Sequence, residues 1–365
     1  MNMSTLITHG SGLLLGALLG FILQRGRFCV TGAFREVWTS GRTRWLTAYL
    51  IAIAMSSIGF FTLLQFGLVK DSDTPLTPLA TTIGSLIFGA GIILAGGCAT
   101  GTYYRAGEGL IGSWLALITY AVSAAMMKKG VLRPVNDGLQ NANNTGLTTL
   151  YGALDVTPWL FVFALTGGVS WLTWRHLRAE RNLKVASLPP LRTGLAHLLF
   201  EKPWHPFVSA MFIGAIATLA YPLSYSTGRE SGLGITTPSA NLAHGLIAGD
   251  LSELTNWGTL LVVGIIIGSY IAAKASGEFR LRVPDTGTLV KALLGGLAMG
   301  IGASLAGGCT IGGSLVGSAE LSLNGFLSFA GFFAGVGVAA KLFLRPRQKT
   351  LASDASSPAT APTTI

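Results

Sequence analysis

The sequence predicts an all-α polytopic membrane protein, with about nine transmembrane helices plus short re-entrant half-helices in two inverted-topology repeats. Three observations carry that prediction. Half of the 365 residues are hydrophobic and 11% are charged, and apolar windows near the roughly 20 residues needed to cross a bilayer recur along the chain. Glycine occurs 49 times, about twice its usual share. Gly16 with Gly20, Gly264 with Gly268 and Gly331 with Gly335 have the small-xxx-small spacing that lets helices pack closely in lipid. Finally, the run Leu94–Gly101, LAGGCATG, returns as Leu305–Gly312, LAGGCTIG, with a cysteine at the same place.

The expected spans are Leu6–Leu23, Trp45–Gly67, Leu79–Ala95, Leu110–Met127, Pro158–Trp174, Pro206–Tyr221, Gly258–Ala273, Ala292–Ala306 and Asn324–Leu344. Neither Lys nor Arg precedes Arg25, so the charged start of a cleavable signal peptide is missing and the first span is expected to be retained. Basic residues orient the rest. They cluster after the first, fifth, seventh and ninth spans, and with Arg105 after the third this places most of the 25 on one face. By the positive-inside rule that face is cytoplasmic, which puts the N-terminus outside, in the periplasm, and the C-terminus inside. The net charge of +10 is accounted for by this topology signal and by attraction to anionic headgroups of the lipid bilayer; it implies no nucleic-acid partner.

The chain divides into a first repeat over 1–157, a connecting helix and basic cytoplasmic linker over 158–206, a second, inverted repeat over 207–344, and an Ala/Ser/Thr/Pro-rich tail over 345–365 expected to be disordered. Met127–Thr157 and Ser224–Trp257 are too long for bare loops and are expected to hold short helices such as Pro238–Leu246.

In both copies of the repeat an apolar span stops at paired glycines, which hold a helix poorly. A thiol therefore stands at each break, with Gly97, Thr100, Gly308 and Thr310 as its neighbours. The third span runs inward to Cys98 and the eighth outward to Cys309, so the copies are inverted, and such repeats place their ligand where the half-helix ends meet. A weaker pair matches Gly26–Arg35, GRFCVTGAFR, with Gly232–Asn241, GLGITTPSAN. There Thr31 and Thr237 are expected to cap short helices, and Ile235 stands near the place of Cys29. Four half-helix N-termini, after Cys29, Cys98, Thr237 and Cys309, aim N–H groups at the centre and suit an anion. A neutral thiol is a weak donor with a large, polarizable sulfur, which fits a soft sulfur-bearing anion better than a hard oxyanion.

Arg27 and Arg105 flank two of the breaks and serve either as attractors of a dianion at the inner mouth or as positive-inside anchors. Glu108 and Glu320 are read as acids opening the next helix, with proton coupling as the other role open to them. Three cysteines without a CxxC, and five histidines without ligand spacing, give no disulfide framework and no metal site. No cofactor is expected.

QRGRFC at Gln24–Cys29, AGGCATGTYYRAGEG at Ala95–Gly109 and LAGGCTIG at Leu305–Gly312 closely resemble the YeeE/YedE family of bacterial inner-membrane proteins. The resemblance spans nearly the whole chain and includes all three cysteines. It implies thiosulfate uptake for sulfur assimilation, with Cys29, Cys98 and Cys309 lining a narrow path between inverted halves and passing the anion along through S–H contacts. It also implies a small cytoplasmic sulfur carrier of the TusA type as partner. Two other functions are open to the same residues. One is transport of a selenium or other sulfur compound; the other is a membrane sulfurtransferase in which Cys98 or Cys309 forms a persulfide. The second lacks a base, because no His, Lys or Asp lies within three residues of either GGC motif.

Overall fold

The computed structural model describes residues 3–71, 74–142, 145–180, 194, 197–202 and 204–344. The proposed tail over 345–365 and the linker residues Arg181, Lys184 and Arg192 lie outside the described residues. Among the described ones the chain is helical, with two isolated backbone bridges and no strand.

The first half contains α1 (Met3–Gly26), α2 (Val30–Ser40), α3 (Arg44–Gln65), α4 (Pro78–Leu94), α5 (Ala99–Gly107) and α6 (Ile111–Lys128), followed by the short α7 (Arg133–Asn141) and α8 (Leu150–Leu154). After α9 (Pro158–Glu180), the second half contains α10 (Pro206–Tyr225), α11 (Thr236–Ala248), the short α12 (Leu251–Leu254), α13 (Trp257–Ala275), α14 (Thr286–Leu305), a π-helical turn Thr310–Val316 continued by α15 (Gly317–Ala319), and α16 (Leu323–Phe343). All nine expected spans are helical. Among the described residues, eight helical segments are long and apolar enough to cross a membrane. The one outside that set is α9, whose apolar run is diluted by Thr166, Gly167, Gly168, Ser170 and Thr173. The protein is an all-α, multi-pass membrane protein.

Three of the eight segments are broken helices. Each joins a long helix to a short one across an irregular hinge: α1 to α2, α4 to α5, and α14 to the 310–319 arm. The hinges in the two LAGGC copies are built alike. Leu94 and Leu305 end their helices, Ala95 and Ala306 still bond back to Gly91 and Gly302 at 2.8 and 2.9 Å, and the next residue takes a left-handed φ of 72° at Gly96 and 78° at Gly307. Only glycine adopts that conformation without a Cβ penalty, so the first glycine of each pair sets the break.

Packing pairs the halves reciprocally. Helix α1 lies along α13 and α3 along α10; α4 packs on α16 and α6 on α14; α4 and α14 pack on each other. Glycines fix these contacts and reveal their directions. A Cβ on Gly12, Gly16 or Gly20 would stand 2.4, 2.0 or 2.1 Å from the carbonyl oxygens of Trp257, Leu261 and Ile265, so α1 and α13 run parallel. Gly84 meets Gly302 and Ala306 whereas Gly91 meets Gly295, so α4 and α14 run antiparallel. Without a hydrophobic driving force between helices in lipid, such backbone approach is what holds a bundle together. By contrast α9 packs mainly on α3, touches α10 through His176 against Phe207, and leaves Phe163, Trp171 and Trp174 exposed.

Candidate functional site

The three cysteines occupy equivalent positions. Each is the N-cap of the short helix beyond its hinge: Cys29 of α2, Cys98 of α5 and Cys309 of the 310–319 arm, all in extended backbone conformation. Ile235 fills the same place before α11. Two sequence-based expectations are corrected here. Thr31 is not a cap but lies inside the first turn of α2, because the chain is still extended at Cys29 (φ −140°, ψ 118°) and helical from Val30. Thr237 is likewise the second helical residue of α11, and it faces outward, where its Oγ1 accepts from Lys128 Nζ at 2.9 Å. The inward position belongs to Thr236, whose Oγ1 accepts from the Tyr120 hydroxyl at 3.0 Å.

The thiols converge in one core cluster. Cys29 and Cys98 are side-chain hydrogen-bond partners, and a Cβ placed on Gly101 would lie 3.2 Å from one sulfur and 3.4 Å from the other. The backbone N–H of Gly101 donates to Cys98 Sγ at 3.4 Å, capping the start of α5. Cys309 lies within electrostatic reach of Cys98 and of the hydroxyls of Tyr49, Tyr103 and Tyr120. Those hydroxyls are anchored: Tyr49 donates to the Thr310 carbonyl, and Tyr103 pairs with Ser239 Oγ at 2.8 Å. Cys98 and Cys309 are 1% and 0% exposed, so both thiols are shielded from solvent.

Beside each thiol stands a buried threonine hydroxyl with no hydrogen-bond partner among the described residues: Thr31, Thr100 and Thr310. An unsatisfied buried hydroxyl costs about 1–3 kcal/mol, and unpartnered polar groups are rare away from functional sites. Each of these threonines lies within two residues of its cysteine, in the first turn of a short helix.

The supporting residues divide by role. Gly97 and Gly308 are buried, and a Cβ on Gly308 would stand 2.4 Å from Gly313 N, so the second glycine lets the arm fold back on the hinge. Arg105 does not stand free at a mouth. Its Nη1 donates to the Gly96 carbonyl and satisfies the broken end of α4. In the other copy Asn324 and Ser328 donate to the Ala306 carbonyl at 3.5 and 3.3 Å. Arg27, with a left-handed φ of 46°, is exposed and pairs with Glu278 at 3.2 Å.

The sequence reading missed the polar knot around Arg27. Gln24 Nε2 donates to Glu278 at 2.7 Å, and the buried Arg25 donates to the carbonyls of Leu199 and Lys202 at 2.8 and 3.2 Å. The QRGRFC run was the available signal. Glu108 and Glu320 are also corrected: they close their short arms as C-caps, while Leu110 and Ser322 open the next helices. Burial pushes the Glu108 carboxyl above its ordinary value, with Arg105 and Arg27 opposing. Glu320 accepts from the Tyr221 hydroxyl at 2.9 Å.

Comparison with known proteins agrees with this architecture. A family model described as "Sulphur transport" matches residues 25–338. The Thiosulfate transporter TsuA of Escherichia coli K12 is 49% identical over 348 residues, covering 95% of this chain and 98% of that protein. The Thiosulfate transporter TsuA of Spirochaeta thermophila is 33% identical, covering 89% and 96%. A third relative, the Probable transporter YedE of Escherichia coli K12, is 44% identical over 105 residues, 29% of this chain and 26% of its own. These relatives are transporters by name and not enzymes. By its broken helices, its cysteine-capped arms and its full-length relatives, the chain belongs to the YeeE/YedE family of sulphur transport proteins.

Proposed function

We propose that this chain takes up thiosulfate across the bacterial inner membrane for sulfur assimilation, along a path formed by Cys29, Cys98 and Cys309. The observation that carries the reading is the repeated constellation at the hinges. Three helix starts each carry a cysteine at the N-cap position, with its sulfur in one core, and an unpartnered buried threonine hydroxyl in the first turn. A dianion entering a dry site needs such donors, because an uncompensated charge there is prohibitive. The polarizable sulfurs favour its terminal sulfur atom over a hard oxygen. Neutral thiols exchange one S–H contact for the next as the anion advances, with no covalent step. The names of the two full-length relatives point to the same substrate.

The antiparallel packing of α4 on α14, the helices that end in the two motif copies, supports two inverted repeats over 1–157 and 207–344 joined by 158–206. The charge distribution supports a periplasmic N-terminus and a cytoplasmic C-terminus. A TusA-like carrier on the basic face would receive the imported sulfur. Uptake of sulfur-labelled thiosulfate by proteoliposomes of the purified chain, competed with sulfate, sulfite and selenium analogues, tests the reading. Uptake preferring thiosulfate is expected, and equal or better uptake of a selenium analogue would reassign the substrate.

A further inference from the structure

At the foot of the first hinge, one carboxylate from the other half of the chain holds two arginines. Glu278 stands just beyond α13, after Gly277, and its side chain reaches the residues that lead into Cys29. Its Oε1 lies 3.2 Å from Arg27 Nη2 and 3.6 Å from Arg25 Nη1, and its Oε2 accepts from Gln24 Nε2 at 2.7 Å. Arg25 is buried and also donates to the Leu199 and Lys202 carbonyls, whereas Arg27 is exposed. The cluster continues towards the thiols. Glu108 shares Gln24 as a partner, and Arg105 lies within electrostatic reach of both Glu108 and Cys29.

The backbone of this segment is fixed while the carboxylate is not. The Glu278 N–H donates to the Ala273 carbonyl at 2.8 Å, and the Arg280 N–H to the Glu108 carbonyl at 3.2 Å. The Glu278 side chain is 33% exposed, so it can leave the arginines by rotating alone. The knot is also incompletely satisfied, because Gln24 Oε1 is buried with no hydrogen-bond partner among the described residues.

Guanidinium groups are fitted receptors for oxyanions, and a pair that shares one carboxylate can take a small dianion in its place. Arg27 stands two residues from Cys29, so an anion handed on by that thiol meets either these cations or the carboxylate between them. Free arginines would retain the anion. A tethered carboxylate competes with it at high effective concentration and drives it off.

We propose that Arg25 and Arg27 form an exit site for the anion leaving Cys29, and that Glu278 is its latch, which fills the site between turnovers and expels the anion by reclaiming the arginines. This inference rests on the transport reading above. The site reads charge through guanidinium groups; discrimination between sulfur anions is left to the thiols.

The test is initial-rate uptake of labelled thiosulfate into proteoliposomes containing the full chain, for the parent, Glu278→Gln, Arg27→Gln, Arg27→Lys and the double variant Arg27→Gln/Glu278→Gln. Glu278→Gln keeps the shape of the latch without its charge, so release slows and becomes limiting. Maximal rate and KM are both expected to fall about ten-fold, the worth of one charged contact, leaving their ratio near that of the parent. A merely structural role would lower the maximal rate and leave KM unchanged. In the double variant KM returns towards the parental value, because the cation that retains the anion is gone. Arg27 is exposed, so its variants test the site even where loss of Glu278 costs folding. Arg27→Gln is expected to lower the maximal rate about ten-fold without lowering KM, and Arg27→Lys to keep most of the rate. Folded Glu278→Gln with the parental KM, or Arg27→Gln at the parental rate, overturns the latch alone. A parent that imports no thiosulfate overturns the transport reading itself.

Discussion

Gly101→Ala inserts a methyl group between two thiols and tests the path without removing either. Gly101 is the third residue of α5, and its missing side chain would lie 3.2 Å from Cys29 Sγ and 3.4 Å from Cys98 Sγ. Both distances are shorter than a relaxed carbon–sulfur contact, so at least one thiol must turn aside by a few tenths of an ångström or change rotamer. The fold is expected to tolerate this. Alanine gains about 1 kcal/mol over glycine in a helix, and overpacking a core costs about 1–3 kcal/mol, which leaves a net loss of about 0–2 kcal/mol. Transport is expected to respond more strongly. A displaced thiol no longer donates to the anion, and a hydrogen bond to a charged group is worth about 1.5–3 kcal/mol, so uptake falls roughly ten- to a hundred-fold. Proteoliposome uptake measured beside thermal unfolding in detergent separates the two effects. A variant that melts near the parent and transports at the parental rate would refute a path running between Cys29 and Cys98.

Three further outcomes follow from the packing, the charges and the topology. Gly16→Leu places side-chain atoms where a Cβ alone would stand 2.0 Å from the Leu261 carbonyl oxygen; it is expected to destabilise by about 3 kcal/mol or more, read as a large fall in unfolding temperature, since backbone cannot yield as a side chain can. The Glu108 carboxyl is pushed up by burial, so the fold favours its neutral form, and its contribution to stability is present at low pH and lost as pH rises through the folded value. Glu108→Gln should therefore raise the unfolding midpoint at neutral pH but not below about pH 4, and a constant difference across pH would contradict this account. Cysteine labelling should place the N-terminus outside, with Glu180–Lys202 and the C-terminal tail inside; both termini on one side would remove the inverted-repeat argument.

The glycines made the hinges legible. A span that stops at Gly96 or Gly307 has few other conformations open to it, and the repetition of LAGGC marked both breaks and both thiols before any coordinates. Cap placement was less legible. Threonine is a common N-cap and cysteine is not, so residue preference pointed to Thr31 and Thr237, whereas Cys29 and Ile235 take the cap positions. Arg105 was ambiguous because a carbonyl partner nine positions back cannot be inferred from spacing across a broken helix; the Gly96 carbonyl, unsatisfied at the hinge, claims it. The tyrosines around Cys309 carried no signal at all. Tyr49, Tyr103 and Tyr120 sit on three separate helices and meet only through tertiary packing, each in a segment where an aromatic reads equally well as core.

The central claim, that thiosulfate crosses by contact with the motif thiols, is tested most directly by uptake of sulfur-labelled thiosulfate into proteoliposomes of the parent, Cys98→Ala, Cys309→Ala and the corresponding serine variants. Loss of one donor to a desolvated anion is worth about 1.5–3 kcal/mol, so each alanine variant is expected to fall roughly ten- to a hundred-fold. Each serine variant should retain more uptake but lose preference for thiosulfate over sulfate, because a hard hydroxyl replaces a polarizable sulfur. Alanine variants at Cys98 and Cys309 that import thiosulfate like the parent would reduce the thiols to packing groups and contradict the account.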